Sequence, residues 1–294
     1  MLFRRRRRPD ESAASGATGR PLDGAAPLFL IGPPRSGTTL VSKILDAHPR
    51  LLTTNETAVF LQVAQQVRRS RGGAPKHGLV YGKQYHREWA DYLDEQAPEL
   101  IEGFFARLAE EKGKADLLYW GEKHPHFSDC LDFLERHWPT ARYVWIVRDP
   151  RDSACSIADM RDKPFREALE LWKRFVDTYE EFMAGLPPER LTSIRYEDLV
   201  ADYEGETRRL LEELGVPWDD AVGDHIARFR DVDAHHLAPG VVQGLRRKVQ
   251  RRDFAETAVA RHLRDCSPED LAFADDVVGA QLDRWGYPRH AVAS

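Results

Sequence analysis

The chain has 294 residues, 42% hydrophobic and 31% charged, which suits one large α/β domain with a substantial core. A formal net charge of −5 leaves no global electrostatic case for nucleic acid or an anionic membrane, so any anion site must be local. The 3 cysteines, Cys130, Cys155 and Cys266, are far apart without a C-x-x-C, which argues against a disulfide framework and a zinc site and suits a reducing cytoplasm.

The chain opens with MLFRRRRRPDESAASGATGRPLDG. Arg4 to Arg8 have the basic character of an export-signal start, but polar and small residues follow where an apolar segment would be needed. Residues 1–24 therefore read as a disordered basic and polar tail, and 25–294 as a single α/β domain. No later apolar run is long enough to span a bilayer.

Residues 28–31 form a short apolar strand, and Leu40, Ile44 and Leu45 then take helical spacing up to Pro49. A second helix is predicted from Thr53, with Val59, Val63 and Val67 on one stripe. Residues 70–86 carry Gly, Pro and basic side chains and predict a surface loop. Residues 88–112 predict a helix broken near Pro98. A second core strand follows at 117–120, then a helix at 130–137 stopped by Pro139, then the clearest buried strand at 142–147. Phe165, Leu169, Trp172, Val176, Tyr179 and Met183 recur at three- and four-residue steps, the mark of a long amphipathic helix. Residues 191–196 predict a strand, 203–214 a helix closed by Gly215, and 268–285 a last helix ending at Gly286.

Strands alternating with helices, without hairpin signals, predict a mostly parallel sheet flanked by helices, the three-layer sandwich of P-loop proteins. In such sheets ligands bind beyond the carboxyl ends of the strands. The loops after 28–31, 117–120 and 142–147 should therefore meet around one site.

The first of these loops is G32-PPRSGTTL-40, which fits G-x-x-x-x-G-x-[ST] but has Thr38 where a nucleotide-binding P-loop has lysine. A strand-to-helix turn of this kind points backbone N–H groups and the helix N-terminus at a phosphate or sulfate. Gly37 makes the turn, Ser36, Thr38 and Thr39 offer hydroxyls, and Arg35 supplies a planar cation suited to tetrahedral oxyanions. Asp149 could serve as the aspartate that helps hold Mg²⁺ in a P-loop kinase or NTPase, although Arg148 sits directly beside it. That altered P-loop enzyme and a non-catalytic nucleotide-binding module are the competing readings.

Taken together, PPRSGTT and VWIVRDPRDSACS resemble the sulfotransferases that use 3′-phosphoadenosine 5′-phosphosulfate (PAPS) and release adenosine 3′,5′-bisphosphate without a metal. The resemblance covers residues 28–200 well and the last third weakly, through GLRRKVQRRDF and the ending LDRWGYP. It implies that the first motif grips the 5′-phosphosulfate, and that Arg148 and Ser156, eight positions later, hold the 3′-phosphate. It places Tyr196 near the nucleotide and a basic segment, with Arg246 and Arg247, over the 3′-phosphate.

Sulfuryl transfer needs two oxygens in line with the sulfur, a base for the acceptor proton, and cations for charge developing on the bridging oxygen. Arg35 and Lys123 are the candidate cations. Glu56, in TTNETAVF, resembles the base of the tyrosylprotein sulfotransferases and is the first candidate. His124 is the rival, because many cytosolic members use a histidine in this segment; Glu122 ranks third. His48 reads as a structural residue at the helix end.

The acceptor is left open among a peptide tyrosine, a carbohydrate, a lipid and another small molecule, as is the oligomeric state. Residues 57–112 and 157–165 are candidate acceptor loops, with Trp89, Tyr92, Phe104 and Phe105 among them. No transmembrane segment and no specific nucleic-acid partner are expected, and the location expected is cytoplasmic.

Overall fold

Five short strands form one all-parallel sheet in the computed structural model, which describes residues 22–72, 85–231 and 259–290. They are β1 (Ala26–Ile31), β2 (Leu51–Asn55), β3 (Tyr119–Lys123), β4 (Arg142–Val147) and β5 (Leu191–Arg195), in the order β2-β3-β1-β4-β5. The step from β1 to β2 runs one way across the sheet, and every later step runs the other way. Right-handed crossovers therefore put α1 (Thr38–Asp46) on one face. The same rule puts α2 (Val59–Arg71), α3 (His86–Glu111), α4 (Leu131–His137), α5 (Pro150–Arg161) and α6 (Phe165–Ala184) on the other.

The alternation of side chains along β1 follows that division. Leu28 and Leu30 pack with Val41, Ile44 and Leu45 of α1. Phe29 and Ile31 pack into an aromatic core, where Phe29 meets Phe60 at 5.1 Å and Phe127 at 5.5 Å, edge to face. After β5 come α7 (Tyr196–Ala201), α8 (Tyr203–Glu213) and α9 (Asp220–Asp231), packed on the α1 face. The short α10 (His262–Asp265) and α11 (Pro268–Trp285) return to α5 and α6. Because the chain reverses direction at β1, a crevice opens beyond that strand's carboxyl end.

Several local expectations change. Residues 51–55 are a strand, not the start of a helix, and α2 begins only at Val59. Its buried residues include Phe60, Ala64 and Val67, so Phe60 and Ala64 take the places expected of Val59 and Val63 while Val67 is buried as expected. Helix α3 runs unbroken through Pro98, since Ala97, Ile101 and Phe105 on either side are held in the core. Strand β3 starts later than expected and so carries Glu122 and Lys123 itself. Gly121 allows this, because a Cβ there would lie 2.1 Å from the Leu28 carbonyl oxygen of β1. Helices α7, α9 and α10 were not anticipated. Residues 22–24 form a turn rather than belonging to the tail, with Leu22 packed on the core and its carbonyl accepting from the Ala25 N–H.

The fold also brings two cysteines together against the expectation from spacing. Cys155 of α5 and Cys266, between α10 and α11, have their sulfurs 3.3 Å apart. His48 acts structurally: its Nε2 lies 2.9 Å from the Pro217 carbonyl, and its Nδ1 accepts from the Arg50 N–H. Among the described residues no helix is long and apolar enough to cross a membrane.

Candidate active site

The chain leaves β1 into the 32–37 turn and enters α1 through Gly37, whose φ of 94° lies in the left-handed region. No side chain caps α1; the Leu40 and Val41 N–H groups donate to the Gly37 carbonyl, which leaves those of Thr38 and Thr39 for a ligand. Tyr196 closes on Gly37 so tightly that a Cβ there would fall 2.4 Å from the ring. Arg35 is also left-handed, at φ 69°, an arrangement that costs a non-glycine residue about 1–2 kcal/mol.

That strain is held by contacts across the sheet. Arg148, at the end of β4, donates from Nη1 to the Arg35 carbonyl at 2.7 Å. The Arg35 Nε donates to the Ser156 hydroxyl of α5 at 2.9 Å. The Arg148 guanidinium lies 4.7 Å from the centroid of the Tyr196 ring, a cation–π contact. Arg35, Arg148, Ser156 and Tyr196 thus form one cluster drawn from four elements. Burial, then the nearby charge of Arg148, lowers the pKa of Arg35. Two guanidiniums that repel each other beside a helix N-terminus suit a polyanion.

The hydroxyls divide. Ser36, expected to offer its hydroxyl to the ligand, turns it inward and donates to the Pro33 carbonyl at 2.7 Å, so its task here is to shape the turn. Thr38 is buried and Thr39 is exposed. Asp149 is likewise committed: it caps α5 through the Arg151 N–H and accepts from Arg151 Nε and Nη2 at 3.0 and 2.7 Å. Its place as a metal-binding aspartate is therefore taken by a cation. Arg246 and Arg247 lie outside the described residues.

The second half of the site comes from β2 and β3. Their parallel register sets Asn55 level with Lys123, and the ladder continues one step as the Glu56 N–H donates to the Lys123 carbonyl at 3.0 Å. Glu56 therefore starts beside Lys123, and its Oε1 accepts from the Lys123 ammonium. The Lys123 side chain is 2% exposed, while that of Glu56 is 52% exposed. Burial lowers the Lys123 pKa, and Glu56 opposes the change. The charges of Arg35 and Lys123 act on one another, as do those of Arg35 and Glu56, so both halves share one electrostatic site.

His124 lies near enough for the charges of Glu56 and Lys123 to act on it. Its ring sits 5.8 Å from that of Phe127, and its Nδ1 accepts from the His126 N–H at 3.1 Å. Burial lowers its pKa. Glu122 is fully buried and holds the turn after β2, accepting from the Ala58 N–H at 2.8 Å. That contact was invisible without the β2–β3 register. Two further residues went unnoticed in the sequence. Glu197 accepts from the Asp149 N–H and from the Tyr287 hydroxyl, tying the turn after β4 to the chain's end. Arg261 adds positive charge felt at Arg35, while donating to Asp159 at 3.0 Å.

Comparison with known proteins identifies the family. Residues 27–220 match the model of a sulfotransferase family. Protein-tyrosine sulfotransferase 1 of Danio rerio is 31% identical over 207 residues, covering 67% of this chain and 55% of the relative. The Homo sapiens protein of the same name is 30% identical over 206 residues, covering 67% and 53%. The chain thus spans about half the length of the curated relatives it matches. Among solved structures, the sulfotransferase domain from the curacin biosynthetic pathway superposes with a TM-score of 0.56 at 18% identity, covering 90% of this chain and 99% of that one. The sulfotransferase domain of the Synechococcus PCC 7002 olefin synthase gives 0.51 at 22% identity, covering 68% and 76%. These likenesses show the fold, and the family match over the strands, the 32–37 turn and the Arg148–Ser156 segment shows that the chain belongs to the sulfotransferase family.

Proposed function

We propose that this protein transfers a sulfuryl group from PAPS to an acceptor hydroxyl. The observation that carries the reading is the Arg35–Ser156 and Arg148–Arg35 network, which adjoins the Lys123–Glu56 pair. Two guanidiniums, a hydroxyl and the N-terminus of α1 make a donor set that fits a phosphosulfate with a second phosphate nearby. In this reading Gly37, Thr38, Thr39 and Arg35 face the 5′ side, Arg148 and Ser156 the 3′-phosphate, and Tyr196 packs beside them.

The acceptor oxygen attacks sulfur in line with the bridging oxygen. A new S–O bond forms, the S–O bond to the phosphate breaks, and its electron pair leaves on adenosine 3′,5′-bisphosphate. Glu56 takes the acceptor proton, while Lys123 and Arg35 stabilise charge on the leaving oxygen. The exposure of Glu56 favours a bulky acceptor, and the names of the relatives make a peptide tyrosine the first one to test. The P-loop kinase reading is not favoured, because Asp149 is bound to Arg151.

Thermal stability with adenosine 3′,5′-bisphosphate, and separately with ATP and Mg²⁺, tests the donor. A ligand at about 100 times its Kd stabilises by roughly 2.7 kcal/mol. A response to the bisphosphate supports the reading; a response to ATP–Mg²⁺ alone would overturn it. Labelled PAPS offered with tyrosine peptides, sugars, lipids and phenols then identifies the acceptor.

A further inference from the structure

We propose that Glu122 is a positioning residue whose buried carboxyl group holds the 56–58 turn and so aims Glu56 at the reacting centre. The inference rests on the reading of Glu56 as the base. The turn has an unfavourable shape for its sequence. Glu56 has φ 54° and Ala58 has φ 61°, two non-glycine residues in the left-handed region within three positions. Something must hold them there, and consecutive residues of β3 do so.

The Lys123 carbonyl takes the Glu56 N–H, and the Lys123 ammonium takes the Glu56 carboxylate. Glu122 Oε1 takes the Ala58 N–H at 2.8 Å, and the N–H and hydroxyl of Thr57 also favour its charged form. A turn fixed at both ends leaves Glu56 little freedom except in its own side chain. Glu122 cannot act as the base itself, because it is 0% exposed and lies beneath the turn. A carboxylate is also a poor choice for a purely structural filler. Its Oε2 is buried and, among the described residues, has no hydrogen-bond partner, a cost that an apolar side chain would avoid. What an apolar side chain could not supply is the acceptor for the Ala58 N–H.

The test compares Glu122→Gln, Glu122→Ala and Glu56→Gln in the full chain. Three quantities are read: amide hydrogen exchange at Thr57 and Ala58, affinity for adenosine 3′,5′-bisphosphate, and consumption of labelled PAPS with and without a tyrosine peptide. In Glu122→Ala, exchange at Thr57 and Ala58 should rise while the rest of the sheet stays protected, and Glu122→Gln should be intermediate. Nucleotide affinity should stay within about twofold, while turnover falls roughly 10- to 100-fold, the cost of leaving the Ala58 N–H without its acceptor. If Glu122→Ala does not fold, Glu122→Gln, nearly the same shape, decides alone.

Unchanged exchange at both amides in Glu122→Gln and Glu122→Ala would overturn the proposal. So would a loss of nucleotide affinity as large as the loss of turnover, which would mean general damage. Full turnover in Glu56→Gln would defeat the base assignment instead, and the exchange data would still judge Glu122 on its own.

Discussion

Replacing Glu122 by glutamine should change how stability depends on pH, in a direction and amount fixed by its burial. Desolvation raises the Glu122 carboxyl from 4.5 to about 7, against the pull of the Ala58 N–H, the Thr57 donors and Lys123. Between those two values the folded chain keeps a proton that the unfolded chain has lost. Stability from this group is thus full below pH 4.5 and falls as pH rises toward about 7. At about 1.4 kcal/mol per pH unit the total loss is about 3 kcal/mol. Glutamine does not ionise, so Glu122→Gln should escape that loss.

The quantity to measure is the difference in unfolding free energy, variant minus wild type, from urea curves between pH 4.5 and 8. It should grow by about 3 kcal/mol across the range, whatever constant offset the altered bond to Ala58 adds. A difference that stays flat with pH would refute the raised carboxyl. A shrinking difference would mean that Glu122 is held charged by its donors.

Other substitutions test the donor cluster. If Arg148 holds the 3′-phosphate as proposed, Arg148→Ala should weaken binding of adenosine 3′,5′-bisphosphate by about 2–4 kcal/mol, roughly 30- to 1000-fold, through loss of a buried cation; titration calorimetry reads this directly. Gly37→Ala must adopt a left-handed φ and also push the Tyr196 ring aside, so it should lose at least about 1–2 kcal/mol of stability by urea unfolding and lower nucleotide affinity as well. Exposure to a small-molecule disulfide such as oxidised glutathione should join Cys155 and Cys266, with two electrons passing to the reagent and two of its thiols released. Cys266 should react first, because the hydrogen bond from Cys155 lowers its pKa. Cys130 should stay reduced, its thiol pushed up to about 12 by burial, and a mass shift in any other cysteine pair would contradict this.

Strands β1 and β4 were legible because each is an unbroken apolar run buried on both faces, the pattern of a central parallel strand. The cluster of Arg35, Arg148 and Ser156 was legible for the same reason: it follows those two strands within sequence motifs. Glu56 and Lys123 were legible as separate candidates, but their pairing was not. Strand β2 is a five-residue edge strand whose Leu-Leu-Thr-Thr run merges into the following helix pattern. Once it was read as helix, nothing tied Glu56 to Lys123, which are 67 positions apart and joined only by the β2–β3 register. The Cys155–Cys266 approach spans 111 positions and depends on α10 docking against α5, which no local spacing encodes. Pro98 shows the opposite failure: a strong local breaker signal, overridden by core packing along α3.

The ring of Tyr196 occupies the space that a side chain at position 37 would need, although the two residues are 159 positions apart. Positions 37 and 196 are therefore one unit of inheritance and of design. A library that varies position 37 alone drives every new side chain into the Tyr196 ring. Grafting PPRSGTT into another scaffold would move half of a lock, because the aromatic lid that gives its glycine a purpose arrives from the far end of β5.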